Sequence, residues 1–386
     1  MVDPQLPPDP LTRQVSGTDA ECRFILALIT RRTYHVDVRG HCQMLAEQSP
    51  LTIEVKAQEA NPHLIAADTD LYPCKLFTDL VVQGHAYAHG PATSFTAKVL
   101  VVGRHRHDVR VFGDRRCGLT STGRVVFGEP AAVERVPLTY AHAYGGVDHV
   151  AEAKYGDPLA ALIPYLDKSA DPSACSAFAY PRNFAGRGWV IEPDPTAIDN
   201  VVLPNLEDPD DLLTPDRLIA GAQTRWPAMP MAWGTDWISP GWFPRLGYFG
   251  FTPAHEPPST TLPEVRYRMA GVDILANVSQ EKKFNQRFTN GAHPGLHVPY
   301  LQGDEELVLT NLHPKYREWK LRLPGQRPRL WIDGREGRLK ETKPQISSVI
   351  IAPDRDQVTV VWCGAAQALR TYLPQELAHM PFAVRW

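Results

Sequence analysis

The chain has 386 residues, of which 43% are hydrophobic and 22% are charged, and its formal net charge is −3 at pH 7. This length accommodates two or three domains, or one large β domain with insertions. The nearly balanced charge excludes a global electrostatic attraction to nucleic acid or to an anionic membrane surface. We therefore predict neither nucleic acid nor membrane as a partner.

The first 20 residues, which begin MVDPQLPPDP, predict a flexible N-terminal arm. They lack the basic and apolar regions of a signal peptide, and no apolar run in the chain approaches the ~20 residues of a membrane span. Scattered cysteines without CxxC spacing predict reduced, unpaired thiols. These features together predict a cytoplasmic protein. The six cysteines are Cys22, Cys42, Cys74, Cys117, Cys175 and Cys363.

Strand-like stretches dominate the N-terminal β region that we predict over residues 21–156. Residues 22–40, 93–103 and 107–116 are rich in β-branched and aromatic side chains, and glycine and proline separate them. Short strands at a spacing of roughly ten residues are typical of a sandwich or a barrel. Because strands and helices do not alternate, a doubly wound sheet is excluded.

Composition changes over residues 157–263, which hold seventeen of the 36 prolines and five of the nine tryptophans. Proline removes backbone donors and so interrupts regular ladders, whereas many aromatic residues argue against a disordered linker. We predict a long, irregular but ordered segment that wraps over the β core. Each tryptophan here either anchors the wrap to the core or contacts a partner. The candidates are Trp189, Trp233, Trp237 and Trp242.

Regular structure returns in the C-terminal β region predicted over residues 264–386. Several alternating stretches read as strands, and APDRDQ (residues 352–357) predicts a hairpin turn between two of them. The predicted fold class is mainly β. It has antiparallel, sandwich-like N- and C-terminal parts, a long irregular middle segment and few short helices.

The GRG sequence at residues 186–188 invites comparison with a phosphate-binding loop. The GxGxxG pattern is not completed, and Pro193 and Pro195 prevent the helix that such a loop needs. We interpret the sequence as a tight turn in which glycines permit unusual φ values. Arg187 is expected to meet a carboxylate, which Glu207 or Asp208 could supply, and the loop carries no predicted cofactor.

Histidines suggest a rival interpretation, a metal-dependent hydrolase. His85 and His89 have the spacing of a helical zinc pair, but four residues along a strand span about 13 Å. His105 and His107 share a strand face and predict a solvated basic patch. Since no nucleophile elbow or HExxH motif accompanies them, we predict no metal site, no catalytic residue and no enzyme.

Six segments, taken in chain order, form a recognisable series. They are VFGDRR (111–116), VPLTYAHAYGG (136–146), NFAGRGW (183–189), LPNLED (203–208), VPYLQGDE (298–305) and VVWCG (360–364). Together they resemble the bacterial domain of unknown function 2169 family, whose genes lie beside those for type VI secretion spike proteins and toxic effectors. The resemblance implies a non-enzymatic adaptor or chaperone, which would help to load an effector, often PAAR-linked, onto the VgrG spike. A structural subunit co-secreted with the spike is a further alternative.

The residue types in these segments and in the middle of the chain supply the candidates for structural or partner contacts. Arginine and tryptophan are the residues that most often dominate protein interfaces, which is why they lead the set. The family implies no catalytic residues to add. The candidates are Arg187, Trp189, Asn205, Glu207, Trp233, Trp237 and Trp242.

Overall fold

The computed structural model describes four ranges of the chain: residues 10–156, 176–248, 285–334 and 337–386. Parts of several sequence-based predictions lie outside these ranges. They are residues 1–9 of the arm, residues 157–175 and 249–263 of the wrapping segment with Cys175, residues 264–284 and 335–336 of the C-terminal region, and the boundary between residues 263 and 264. The other predictions lie at least partly within the described residues.

Strands make up most of the regular structure, as β-branched and aromatic stretches predict. Up to residue 210 they are β1 (Thr12–Thr18), β2 (Phe24–Val36), β3 (Cys42–Met44), β4 (Lys56–Gln58), β5 (Asn61–Ala67), β6 (Thr78–Val82), β7 (His85–Tyr87), β8 (Ser94–Val101), β9 (His105–Phe112), β10 (Cys117–Leu119), β11 (Val125–Phe127), β12 (Arg135–Pro137), β13 (Tyr144–Gly145), β14 (Arg187–Gly188) and β15 (Leu206–Glu207). From residue 285 they are β16 (His297–Val298), β17 (Glu306–Thr310), β18 (Glu318–Arg322), β19 (Arg329–Ile332), β20 (Lys340–Glu341), β21 (Gln345–Ala352), β22 (Gln357–Gln367) and β23 (Phe382–Arg385).

Helices in the described ranges are short. The α-helices are α1 (His149–Tyr155), α2 (Pro195–Ile198), α3 (Arg245–Tyr248) and α4 (Pro374–Leu377). The 3-10 helices are Tyr140–His142, Pro215–Arg217, Gln223–Ala228, Gln286–Thr289, Pro294–Leu296 and Pro353–Arg355. None of the described helices is long and apolar enough to cross a membrane. The predicted mainly β fold class is confirmed.

A seven-stranded sheet joins the two ends of the chain in the order β1-β2-β22-β21-β6-β16, with β3 also paired to β2. β2 and β22 run antiparallel in register from Ile25 opposite Gln367 to His35 opposite Gln357. Because Thr12–Thr18 forms the edge strand β1, this part of the predicted flexible arm is in fact ordered by the sheet.

A five-stranded sheet in the order β15-β9-β8-β17-β18 packs against the first sheet. One core contains side chains of both, among them Trp362 and Val360 from β22 and Val99 and Leu309 from β8 and β17. The architecture is therefore sandwich-like. It differs from the prediction in that each sheet takes strands from both ends of the chain, so the N- and C-terminal regions are interleaved.

Few regular elements occur in residues 176–248, the described part of the predicted wrapping segment. These residues nevertheless build a second core in which Tyr180, Trp189, Trp226 and Phe243 are buried. The described part of the segment is thus irregular and ordered, as its composition predicts. Its prolines restrict ladders, while its aromatic side chains supply the buried apolar area that fixes it in place.

Two local predictions are also confirmed. Pro353–Arg355 forms a helical turn between β21 and β22, and Asp356 completes the hairpin with a left-handed φ of 52°. All five cysteines within the described residues are free thiols.

The GRG turn interlocks with a second glycine-rich stretch. β13 and β14 pair in parallel, which brings Tyr144 opposite Arg187 and Gly145 opposite Gly188. Gly188 has a φ of +94°, where a side chain would be strained. A Cβ on Gly186 would approach Asn183 and would lie 2.7 Å from the carbonyl oxygen of Ala143. Gly186 is therefore required by close packing rather than by its backbone angle.

Gly186→Ala is expected to lower the free energy of unfolding by about 2 kcal/mol, because backbone atoms must shift to accept the methyl group. Chemical denaturation followed by tryptophan fluorescence measures this change. Gly118→Ala is the matched control, since the nearest atom to its Cβ is 4.0 Å away. Equal stability of the two variants would contradict the packing argument.

Candidate functional site

Asn205 joins four of the six sequence segments into one polar network. Its Oδ1 accepts hydrogen bonds from Arg187 Nη1 at 3.1 Å and His142 Nδ1 at 2.9 Å. Its Nδ2 donates to the Phe112 carbonyl at 3.1 Å and to Asp114 Oδ1 at 3.0 Å. Asn205 is buried. A buried amide with all four of these bonds made is a structural junction.

Arg187 does not meet the predicted carboxylate. Its guanidinium donates to Asn205 and to a backbone carbonyl, while Arg115 forms the ion pair with Glu207. β15 pairs with β9, which places Glu207 opposite Arg110. The Arg115 side chain, from the chain just beyond β9, reaches Glu207 there. The prediction that Arg187 pairs with Glu207 or Asp208 is wrong, although Arg187 does link the irregular segment to its neighbours.

The Arg115–Glu207 pair belongs to the interior. Burial raises the pKa of Glu207 to about 7, and the opposing influence of Arg115 does not offset it. Burial likewise lowers the pKa of Arg115. The Arg115 guanidinium also lies 3.8 Å from the centre of the Phe112 ring. These contacts hold β9 and β15 together and leave neither charge facing solvent.

The tryptophan candidates fall into two groups. Trp189, Trp237 and Trp242 are buried, and the Trp189 indole donates a hydrogen bond to a backbone carbonyl at 3.0 Å. Trp233 is half-buried and stacks on His107, with ring centres 4.9 Å apart. The three buried rings anchor the irregular segment to the cores.

Three of the four histidines weighed for a metal site, namely His85, His105 and His107, have hydrogen-bond partners within the protein. His107 is only 4% exposed, and burial lowers its pKa to about 4, so the predicted basic patch is wrong for this residue. His105 Nε2 lies within hydrogen-bond distance of a backbone carbonyl. His85 Nδ1 lies 2.7 Å from Asp354 Oδ2. No group of three or more His, Cys, Asp or Glu side chains within the described ranges is arranged to hold a metal ion.

A pocket of about 440 Å³ lies on the face of the seven-stranded sheet that points away from the shared core. Residues that lie directly opposite one another in a sheet point to the same face. Gln345 lies opposite Cys363 and Gln367 lies opposite Ile25, and all four residues line the pocket. Ile25, Cys363 and Ala365 form the floor of the pocket. The pocket was not predicted from the sequence, because the residues that form it are distant along the chain.

Two loops build the walls of the pocket. Cys74, Lys75 and Tyr300 line the pocket, and the two loops touch, because the Tyr300 hydroxyl donates a hydrogen bond to the Lys75 carbonyl. Tyr300 and Cys363 come from the two family-like segments that do not reach Asn205. The family-like character of these two segments was the only feature of the sequence that marked pocket residues, and no local pattern indicated that the two segments lie together in the fold.

A β-bulge shapes the pocket where β21 enters the sheet. The register shifts between Ile346 and Ser348, which leaves Ser347 as an extra residue. A bulge lets neighbouring side chains lie on the same face of a strand. Ser347 lines the pocket, and Ser348 Oγ accepts a hydrogen bond from Lys75 Nζ at 3.0 Å. Small side chains at these positions leave the volume open.

Buried ion pairs lie beside the pocket. Lys75 Nζ donates to Asp79 Oδ2 at 2.6 Å, and both side chains are almost fully buried. Although burial opposes ionisation, Lys75 and His297 hold the pKa of Asp79 below its usual value. Arg245 and Asp68 form a second buried pair at 2.9 Å. Each charge is compensated within the protein, as burial at this depth requires.

The two thiols and the phenol on the pocket wall remain neutral at physiological pH. Burial raises the pKa of Cys363 to about 12 and also raises the pKa of Cys74. Burial raises the pKa of the Tyr300 phenol as well. Thiols and phenols in these states are weak nucleophiles but effective polar wall groups. The pocket is therefore suited to binding.

Asp236 is a buried carboxyl without a cationic partner among the described residues. Its Oδ1 accepts hydrogen bonds from Gln83 Nε2 at 2.9 Å and from the Trp237 backbone at 2.8 Å. Burial raises its pKa to about 7, which these two hydrogen bonds only partly oppose. The folded protein thus holds this proton more tightly than the unfolded chain does.

Asn205→Ala is expected to lower the free energy of unfolding by about 3 kcal/mol, because the donors of Arg187 and His142 lose their buried acceptor. Thermal and chemical denaturation measure the change. The control is Asn61→Ala, at a half-buried position where the side chain accepts one bond from the His63 backbone. A loss no larger than that of the control would contradict the junction role.

Asp236→Asn is expected to become more stabilising, relative to the unchanged protein, as the pH rises from 5 to 8. In the folded protein the Asp236 carboxyl has a pKa of about 7, compared with about 3.8 in the unfolded chain. Proton binding by Asp236 therefore stabilises the fold fully below about pH 3.8, and this stabilisation is lost as the pH rises through about 7. The relative gain should be on the order of 2 kcal/mol. Urea denaturation at both pH values measures it. Exposed Asp304→Asn should show no such trend, and an equal trend would contradict the assignment.

Comparisons with known proteins give one match. A family model described as "Uncharacterized protein conserved in bacteria (DUF2169)" matches residues 21–363. No curated protein and no solved structure matches this chain. The matched range includes the four segments joined by Asn205 and both Tyr300 and Cys363 of the pocket. The chain belongs to the DUF2169 family of bacterial proteins.

Proposed function

We propose that this protein is a non-enzymatic adaptor or chaperone that binds a type VI secretion effector in the bacterial cytoplasm. The effector, often PAAR-linked, would then be loaded onto the VgrG spike. The gene neighbourhood of the resembling family supplies the secretion context. The physical support comes from the state of the polar groups in the described structure.

The observation that carries the proposal is the open pocket lined by neutral thiols and a neutral phenol. A general acid or base works best with a pKa near the working pH. Burial shifts the pKa of Cys363 to about 12, away from that range. The nearby charges of Lys75 and Asp79 are paired with one another. An accessible site whose thiols and phenol are neutral, and whose Lys75 is paired with Asp79, favours recognition over chemistry.

Exposed apolar side chains at the same end of the sheet support a protein partner. Leu369 is 82% exposed, Leu373 is 63% exposed and Phe24 is 43% exposed. The Phe24 carbonyl accepts a hydrogen bond from the Ala368 backbone at 2.8 Å, which places Leu369 next to the start of β2. A surface with several such side chains near one another is typical of an interaction site.

Tagged protein purified from its own cells is expected to retain the effector encoded beside its gene in a stable complex. Affinity purification followed by mass spectrometry measures the bound chains, and a strain lacking the adaptor should secrete less of that effector. Removal of the VgrG gene is the control, because binding to the effector should survive it. Purification without an effector or a spike protein would contradict the proposal.

Two other results would favour the alternatives. Stoichiometric recovery of this chain in secreted material, together with the spike, would support a co-secreted structural subunit. Stoichiometric zinc in the purified protein, with a hydrolase activity that EDTA abolishes and zinc restores, would support the metal-dependent enzyme.

A further inference from the structure

The pocket exists because the sheet narrows at one end. Pro344 has no backbone N–H, and β21 begins at Gln345, which is the first residue paired with β22. β22 continues beyond that pair to Gln367, still bonded to β2. Ala365, on the part of β22 that extends past the first residue of β21, therefore has β2 on one side and no β21 residue on the other.

The floor of the pocket offers apolar contact. Ile25 and Ala365 face the cavity together with Pro73 from the wall. The volume of about 440 Å³ lies within the range of small-ligand sites, which is roughly 300–1,000 Å³. Burial of an apolar group here would remove both it and the sheet face from water.

Of the three cations that line the pocket, Arg23 and Lys75 have acidic partners and Lys343 has none among the described residues. Arg23 is held by Asp19 at 2.7 Å and Glu21 at 2.6 Å, and Lys75 is held by Asp79. Lys343 is exposed and forms no hydrogen bond or ion pair within the described part of the chain. The pocket thus has one uncompensated cation at its mouth, above an apolar floor.

Lys343 is the cation available to a ligand carboxylate, because Arg23 already faces Asp19 and Glu21 and can add only a hydrogen bond. Lys343 precedes β21 and Arg23 precedes β2, and β22 separates these strands. Strands two positions apart in a sheet are about 10 Å apart, and both side chains are long enough to reach over the pocket from opposite sides. Arg23 retains guanidinium donors beyond those used by its acidic neighbours.

We propose that this pocket binds a peptide segment of the effector in which an apolar side chain lies next to a carboxylate, an inference that rests on the proposed adaptor function. The apolar side chain packs on Ile25 and Ala365, and the carboxylate meets Lys343 with support from Arg23. A chain terminus and an internal acidic residue present the same chemistry.

Three short probe peptides test the site without the effector. They are acetyl-GGFEGG-amide with an internal acid, acetyl-GGGF with a free C-terminal carboxylate, and acetyl-GGFQGG-amide as the neutral match. NMR titration of the purified full chain should show an acidic probe binding about fivefold more tightly than the neutral one, as expected for an exposed ion pair. The stronger acidic probe identifies the source of the carboxylate. Equal affinity of all three, or no binding at millimolar concentration, would overturn the proposal.

Variants connect the pocket to these peptides. Lys343→Glu should abolish the preference for the acidic probes, and Ala365→Phe should fill the floor and reduce binding of every probe at least tenfold. Lys320→Glu, on an exposed face of β18 in the other sheet, is the charge-matched control. Unchanged melting temperatures would establish that the variants fold. Unaltered peptide binding by both pocket variants would also overturn the proposal.

Capture of the complete effector shows separately whether the adaptor function and the peptide site are correct. If the unchanged protein captures the effector and both pocket variants capture it equally well, the pocket proposal fails and the adaptor function stands. If the unchanged protein captures no effector yet binds an acidic probe through Lys343, the adaptor function fails and the peptide site stands.

Discussion

The pairing of β2 with β22 is the constraint on which the rest of the structure depends. It joins residues near the two ends of the chain along eleven consecutive pairs, from Ile25 with Gln367 to His35 with Gln357. Alternation along β22 then places Trp362 in the core between the sheets and Cys363 in the pocket on the opposite face. A shift of one residue would exchange these environments, so this register fixes the core and the pocket together.

Charged and polar side chains inside this framework are used mainly to hold irregular chain in place. Lys75 pairs with Asp79 beside the pocket, and Arg115 pairs with Glu207 where β15 joins the second sheet. Asn205 performs the same task with neutral groups. Such pairs contribute little when compared with apolar packing, but loss of one member leaves a buried charge uncompensated. Polar motif residues in this chain are therefore poor guides to the position of the pocket.

Prediction from the sequence succeeded where local chemistry decides the structure. The turn at Pro353–Arg355 follows from its flanking alternation and its polar residues. Prediction failed where the choice of partner decides the contact. The sequence predicts that Arg187 pairs with Glu207 or Asp208, whereas in the structure Arg115 forms the ion pair with Glu207. His107 was placed on the surface for a similar reason: its position on a strand face was clear, but the chain that covers that face lies far away in sequence.

The sequence by itself determined the mainly β class, the irregular ordered middle with its anchoring tryptophans, and the unpaired state of the cysteines in the described residues. These properties follow from side-chain alternation, proline content and cysteine spacing, which act over a few residues. Only the tertiary structure decided the interleaving of both sheets, the partner of each buried charge, and the pocket between Tyr300 and Cys363. Those depend on strand pairings across hundreds of residues, and a local pattern carries no information on which distant strand completes a sheet.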